Sequence, residues 1–494
     1  RSRSPATALG QYAYYYMFED CAITKAPILP AASRSSYCYQ YMFNNCNNLN
    51  YIKCLDTNPQ QGYYTNWTTN VSPVGTFVKA DNVSWTTGVN GIPTSWVQVN
   101  QSEEGSGQGG QDEPEEYDGS DAPVLLGWKY SGNDITLPYS VNAINGHTSS
   151  YSKGQYVFNS RLALDELNPT YLWFNQASQS ADIYIDNQKV GTHWGGYNSF
   201  SMDITNYVHT GINDVMVILN NTTRNTLAPA AGDFNYNATL GEVKVLSSPV
   251  VPDPSYGYDG FHISATVTSA SAAVTITTSI PNTGTVVLTI DDGTYHYTDT
   301  STGTGTITFT HTITNPHLWN GRLDPHLYDI TLEFYYDGTL YHTFTRPYGF
   351  RYFSYVYNET VNGETYTGFL LNGQPYLLRG VCMHQDIEGK ANALTYSDIQ
   401  HDFDIINELN CNFIRTAHYP HPKEFYDLCD YYGVIVQTEV PWVNKAQSSM
   451  PSDYYTHLEG QYRDMVNEHY NHPSILFWGL ANEISTDDAS FANT

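Results

Sequence analysis

No stretch of the sequence holds the roughly 18 consecutive apolar residues that would span a bilayer. Positive charge is scarce: 21 Lys and Arg stand against 49 Asp and Glu, a formal net charge of −28. So acidic a surface repels phosphate backbones and anionic lipid, which excludes nucleic acid as a partner and argues against adhesion to a membrane surface. Cysteine is sparse and unevenly placed. Cys21, Cys38, Cys46 and Cys54 fall early, and Cys382, Cys411 and Cys429 fall late. No CxxC pair occurs, so a zinc site is not indicated. The early group is compatible with disulfides, but its spacing does not demand them. The chain opens at Arg1 with no initiator Met and no signal peptide. The expectation is a fragment or a processed form.

What is present points to large β-rich domains. The 494 residues suffice for three or four domains, and 40% hydrophobic content with 14% aromatics can fill their cores. The 43 tyrosines suit β-structure and also surfaces that stack against sugar rings.

The first 100 residues contain a short repeat. Tyr14-Tyr15-Tyr16-Met17-Phe18-Glu19-Asp20-Cys21 recurs as Tyr39-Gln40-Tyr41-Met42-Phe43-Asn44-Asn45-Cys46, an offset of 25 residues. That period fits the end of a leucine-rich-repeat array, with Cys21 and Cys46 at buried ladder positions and a cap from Thr76 to Trp96. A private Tyr-rich β-module is the alternative. Residues 101–122 carry eight acids among Gly, Ser and Gln, with no Lys or Arg from Lys79 to Lys129. Such a segment cannot bury a core and reads as an extended, disordered linker.

Residues 123–248 read as a jelly-roll β-sandwich, with Ala181–Asp186 running into a turn at Asn187-Gln188. Residues 249–350 read as an immunoglobulin-like sandwich with strands every 8–12 positions, among them Val274–Thr278 and Thr306–Thr310. After 351 strands alternate with helices. The expected strands are Tyr376–His384, buried, then Asn412–Arg415, Val434–Glu439 and Ile475–Glu483. Thr395 and Asp398 form a capping box ahead of a helix carrying Ile399, Phe403, Ile406 and Leu409. This is the pattern of the first half of a (β/α)8 barrel, giving a multidomain β plus α/β chain.

Each of these strands ends in polar groups: His384, Gln385 and Asp386; Arg415, with His418 beyond; Glu439; Asn482 and Glu483. Barrel active sites gather at C-terminal strand ends, so these groups should converge. A core strand has no packing reason to finish in a carboxylate. Glu483 is the candidate acid for glycoside hydrolysis, which needs one carboxyl to protonate the departing oxygen and a second opposite it. Asn482 is suited to a sugar hydroxyl. Trp478, an even number of residues earlier, either shares that face or belongs to the core.

These motifs resemble glycoside hydrolase family 2, in the family's domain order, across residues 123–494. The resemblance rests on Val190-Gly191-Thr192-His193-Trp194-Gly195-Gly196-Tyr197, Gly232-Asp233-Phe234-Asn235, Leu318-Trp319-Asn320-Gly321-Arg322 and Arg379-Gly380-Val381-Cys382-Met383-His384-Gln385-Asp386. It rests equally on Ile414-Arg415-Thr416-Ala417-His418-Tyr419-Pro420 and Phe477-Trp478-Gly479-Leu480-Ala481-Asn482-Glu483. It implies a retaining β-galactosidase acting on terminal β-galactosides of oligosaccharides or glycans. Glu483 matches the acid/base, and Asn482 matches the group binding the 2-hydroxyl. His384 and His418 match histidines holding sugar hydroxyls, and Arg415 matches an arginine orienting the carboxylates. Glu439 matches a third-strand carboxylate; Asp386 and Asp233 match more loosely. Where some relatives place magnesium ligands, this chain reads Val440-Pro441-Trp442-Val443-Asn444, so neither metal nor cofactor is expected.

The family's nucleophile sits on a later strand, and this chain ends eleven residues after Glu483. The nucleophile is therefore expected beyond the chain, and the fragment alone to be inactive. β-Glucuronidase and β-mannosidase are alternatives within the family, although Ile484 stands where β-glucuronidases usually have proline. A non-catalytic surface adhesin or carbohydrate-binding protein is the alternative from another class. A secreted or surface location in a bacterium is expected, and the full-length enzyme is compatible with a homo-oligomer.

Overall fold

The computed structural model describes residues 38–59, 61–73, 75–81, 83–94, 96–100, 123–144, 153–222, 226–229, 238–443 and 451–484, with 8–9, 18–19, 26, 29 and 33–34. The linker at 101–122, Cys21, Asp233 and Asn444 lie outside the described residues. The chain divides into two units, 1–116 and 117–494.

The first unit is built by its repeat. Strands β1 (Tyr51–Cys54), β2 (Thr76–Lys79) and β3 (Val97–Asn100) pair in parallel, with Tyr51 opposite Thr76 and Thr76 opposite Val97. Parallel strands so close in sequence require one strand per turn of a coil. A second ladder runs along the Tyr-rich segments: the Tyr39, Phe43 and Asn45 amides donate to the Tyr63, Trp67 and Thr69 carbonyls at 3.1, 3.0 and 2.8 Å. Side chains repeat with it. Tyr39 stacks on Tyr64 at 5.3 Å, and Asn70 Nδ2 donates to Asn45 Oδ1 at 2.7 Å. Cys46 is buried, its thiol donating to the Phe18 carbonyl.

The second unit opens with a β-sandwich. Its larger sheet has the order β9-β8-β11-β6-β4-β5: Gln188–Trp194, Ser180–Ile185, Gly211–Asn220, Gln155–Leu164, Val124–Tyr130 and Asn133–Ile135. The facing sheet is β10-β7-β12: Phe200–Asp203, Thr170–Phe174 and Val243–Ser247. Phe158, Ile183 and Val217 of one sheet share a core with Leu172 and Phe174 of the other. The turn falls one residue earlier than expected: Asp186 and Asn187 take φ of 48° and 65° between β8 and β9, as a two-residue hairpin needs, and Gln188 already pairs with Ile185.

The next sandwich departs from the expected run of short strands. β14 (Ser271–Asp291) and β15 (His296–Thr314) are 21 and 19 residues long, and the anticipated pieces are parts of them. The Thr/Val/Ile alternation runs on through Pro281-Asn282-Thr283-Gly284, a turn-like stretch that here only shifts the β14–β15 register and does not end the strand. β13 (Phe261–Val267) pairs with the first half of β14, and β16 (Tyr328–Tyr336) with the second; β17 (Thr339–Tyr348) follows β16. The ladder between β14 and β15 slips from Ile280 to Gly284. Val274 and Ile276 on one side of that slip share a core with Leu288 and Ile290 on the other, so the two halves of the sheet pack face to face.

A hairpin of β18 (Phe353–Val361) and β19 (Glu364–Leu371), not anticipated from sequence, leads into the α/β part. There β20 (Gly380–Met383), β21 (Phe413–Thr416), β22 (Ile435–Glu439) and β23 (Ile475–Gly479) form a parallel sheet in sequence order. Helices α1 (Tyr396–Glu408), α2 (Lys423–Tyr432) and α3 (Ser452–His469) connect them. The capping box forms, the Asp398 carboxylate accepting from the Thr395 amide and hydroxyl. Three details differ from expectation. β20 is short, and Leu377, Arg379 and Cys382 are exposed, because among the described residues it has a neighbour on one edge only. β23 ends at Gly479, four residues before Glu483. Leu409 is exposed because it follows the last residue of α1.

Both sandwiches grip the segment leading into β23. His193 and Asn198 of the first reach Asp464 and the Gln461 carbonyl on α3, at 3.0 and 2.6 Å. From the second, Arg351 donates to the Pro473 and Ile475 carbonyls at 2.7 and 2.8 Å, while Asn471 pairs with Phe261 and Ile263. Trp319 is fully buried at this junction, its Nε1 donating to the Asp430 carbonyl at 2.9 Å. Trp319→Ala should cost about 3–5 kcal/mol of stability, read as a lower urea midpoint; an unchanged midpoint would show that the junction is not structural.

Candidate active site

The alternation of a strand sends residues two apart to the same side. On β22 this places Gln437 with Glu439, and on β21 it places Phe413 with Arg415. Glu439 is wholly buried, so its charge needs a partner. Arg415 on the adjacent strand supplies it: Nε and one terminal nitrogen donate to the two carboxylate oxygens. Gln437 Nε2 donates to the same carboxylate at 3.3 Å. Gly479, opposite Glu439 on β23, makes room, since a Cβ there would lie 3.1 Å from the Glu439 Cβ and Cγ.

The same terminal nitrogen of Arg415 reaches Asn482 Oδ1 at 2.8 Å and His418 Nδ1 at 3.0 Å. A guanidinium only donates. Asn482 is thereby turned so that its amide nitrogen is left for another partner. His418 accepts at Nδ1, which puts the proton of the neutral ring on Nε2. Burial, reinforced by Arg415, holds the His418 ring below its ordinary pKa against the pull of Glu439. The hydrogen bond to Glu439 raises Arg415 above its own. The neutral histidine and the charged guanidinium are therefore stable together.

Asn482 is buried and pinned by its backbone as well: its amide donates to the Trp442 carbonyl at 2.8 Å, and it bridges Val443. Glu483 follows, exposed and with φ of 53°. For a glutamate that left-handed conformation is uncommon, and holding it costs on the order of 1 kcal/mol.

His384, at the end of β20, meets Tyr419 through Nδ1 at 3.0 Å and lies edge-on to His418, ring centres 5.8 Å apart. Asp386 is exposed and near enough to Tyr419 to raise its pKa, after burial, the larger cause. The structure thus gathers Arg415, Glu439, His418, Asn482, Glu483 and His384 at the ends of four neighbouring strands. Trp478 is not among them. It packs toward the helices with Trp442, Leu458 and Met465, because β23 ends one residue later and the alternation does not carry on to Asn482. Gln437 and Tyr419 were not singled out from sequence; the two-residue spacing from Glu439 was the available signal for the first.

Among the described residues, Asp427, Asp430 and His472 lie close enough to hold a metal ion. They sit at the sandwich junction instead, and their charges are already matched. Arg346 and Lys423 pair with Asp427, and His472 Nδ1 meets Asp430 at 2.6 Å.

Three family models match the chain in succession: the sugar binding domain of glycosyl hydrolases family 2 at 81–249, glycosyl hydrolases family 2 at 258–351, and the family 2 TIM barrel domain at 364–492. A beta-glucuronidase of Bacteroides fragilis is 31% identical over 336 residues, covering 64% of this chain and 47% of that protein. A beta-galactosidase of Thermoanaerobacter pseudethanolicus is 25% identical over 380 residues, covering 72% and 49%. Bacteroides uniformis beta-glucuronidase 2, whose solved structure carries a covalently bound aziridine, superposes with a TM-score of 0.63 at 28% identity, covering 74% and 48%. The chain spans about half the length of these relatives.

Two measurements probe the network. Glu439→Gln leaves Arg415 without its counter-charge and should cost about 3–5 kcal/mol in urea unfolding; a loss under 1 kcal/mol would mean solvent already carries that charge. Burial, then His384, holds the buried His421 ring at about 3. The unfolded chain takes up that proton near its ordinary value of about 6.5, so stability should fall as pH drops from about 6.5 toward 3. Melting curves of His421→Gln should be flatter across that window, and an identical slope would refute the assignment.

Proposed function

The chain belongs to glycoside hydrolase family 2, and on that premise we propose that its site cleaves terminal β-D-glycosides with retention, Glu483 serving as general acid and then general base. One observation carries this reading: the Arg415 network fixes Asn482 directly before an exposed carboxyl, in the segment just past β23. Retaining hydrolysis needs a proton donor at the departing oxygen and a nucleophilic carboxylate about 5–5.5 Å away. Glu439 is unsuited to the second role, being wholly buried and bound through both oxygens by Arg415. Its part is to hold Arg415, and we assign the nucleophile to a barrel strand following β23. Asn482 offers its amide nitrogen to the hydroxyl next to the reacting carbon, and His418 offers Nε2–H.

In the first step the nucleophile attacks the anomeric carbon while Glu483 gives its proton to the leaving oxygen. In the second, Glu483 takes a proton from water as water displaces the carboxylate, and the sugar leaves with its original anomeric configuration.

The sequence motifs support a β-galactoside as substrate. A terminal β-glucuronide is the second reading, favoured by the name of the 31% identical relative. The coil of the first unit, with its stacked Tyr39 and Tyr64, supports a further proposal: it is the end of a leucine-rich-repeat array on a secreted or surface protein.

In the full-length enzyme, Glu483→Gln should lower turnover of unactivated β-glycosides by about 10²–10⁴-fold. Undiminished turnover would sink the acid/base assignment. Assayed side by side, aryl β-galactoside, β-glucuronide and β-mannoside decide the sugar; turnover of none of the three by the wild type would favour a carbohydrate-binding protein.

A further inference from the structure

The first sandwich reaches the site through one aromatic contact. Tyr197 follows β9 and is buried, only 4% exposed. Its ring lies flat on that of Tyr419, centres 4.2 Å apart and planes within 8°. Tyr419, just past β21, is likewise buried, and the two rings pack with Val443. Val443 bridges Asn482, and the Tyr419 hydroxyl meets His384 Nδ1 at 3.0 Å. A single buried stack thus touches the supports of two strand ends.

We propose that Tyr419, held in place by the Tyr197 ring, is a positioning residue that donates its phenolic proton to His384 Nδ1 and so fixes His384 as the Nε2–H tautomer. A phenol is a much better hydrogen-bond donor than acceptor and a bare imidazole nitrogen is the stronger acceptor, so we take the 3.0 Å contact to run from the Tyr419 O–H to His384 Nδ1. Burial, with Asp386 adding to it, keeps the phenol from ionising. Nδ1 of a neutral imidazole that accepts a hydrogen bond carries no proton, so the N–H must sit on Nε2. His418 reaches the same tautomer by another donor, Arg415. Two histidines, their rings 5.8 Å apart, then present N–H donors of one kind. Such a pair suits acceptor lone pairs of sugar hydroxyls, and the first sandwich, through Tyr197, becomes part of what sets glycone binding.

The tautomer itself is measurable and does not depend on catalysis. In ¹⁵N-histidine spectra of the 494-residue chain, with the His384 signals identified by their loss in His384→Gln, wild type should show a bare Nδ1 and a protonated Nε2. Tyr419→Phe keeps the stacked ring and removes the donor, and should give a mixture of tautomers. Tyr197→Phe should match wild type, while Tyr197→Leu should shift toward the mixture. A protonated Nδ1 in wild type, or an unchanged spectrum in Tyr419→Phe, overturns the proposal; an unchanged Tyr197→Leu spectrum removes Tyr197 from it. A kinetic arm rests on the glycosidase reading. In the full-length enzyme Tyr419→Phe should lower kcat/KM by roughly 3- to 10-fold through KM, with kcat nearly kept. A purely structural role would lower the folded fraction and leave KM unmoved. If Glu483→Gln proves harmless while the tautomer behaves as stated, the glycosidase reading fails and this inference stands.

Discussion

A carboxylate with no access to water, Glu439, is the constraint on which the site is built. Stranding that charge would cost several kcal/mol, so the fold must bring a cation to it. Arg415 does so from the adjacent strand, and one of the two nitrogens that bind the carboxylate also organises the rest. That nitrogen orients Asn482 and sets the protonation of His418. Glu483 comes directly after the anchored Asn482. The uncommon backbone conformation of Glu483 is the local cost of this arrangement. The glycine opposite Glu439 is its steric condition.

The two sandwiches serve the same end. α3 and the turn after it are held from both sides, by Asn198 of the first sandwich and by Arg351 and Asn471 of the second. β23 begins within these contacts, so its C-terminal end is aimed by domains that carry no acid themselves. Charge at the second junction is handled in a different way. Arg346 is buried against Asp259 and Asp427, and although burial works against its charge, those two carboxylates keep it protonated. Matched charges thus help to seal this junction, whereas the first adds the Tyr197–Tyr419 stack to its polar contacts.

Much of this was legible in the sequence because strand ends carry chemistry. Arg415, Glu439, Asn482 and Glu483 each close an apolar run, and a parallel barrel can only gather them. The hairpin turn, placed one residue late at Asn187-Gln188, and the capping box at Thr395 were legible for local reasons, since each is decided by a few adjacent residues. Trp478 was legible only as two alternatives, of which the core one holds, since the even spacing from Asn482 assumed a strand that in fact ends at Gly479. The long strands β14 and β15 were not legible, because their length is set by cross-strand pairing and a single register slip. The Tyr197–Tyr419 stack joins residues 222 positions apart, and no periodicity could have announced it.

The central claim is that Glu483 supplies and recovers the proton in a retaining double displacement. Chemical rescue tests it most directly. In full-length Glu483→Ala, an activated aryl glycoside should still form the glycosyl-enzyme, since its leaving group needs no proton. Azide, which needs no general base, should then enter the space left by the carboxyl, restore turnover and give the β-glycosyl azide. Failure of azide to restore turnover, or formation of the α-azide, would contradict the account.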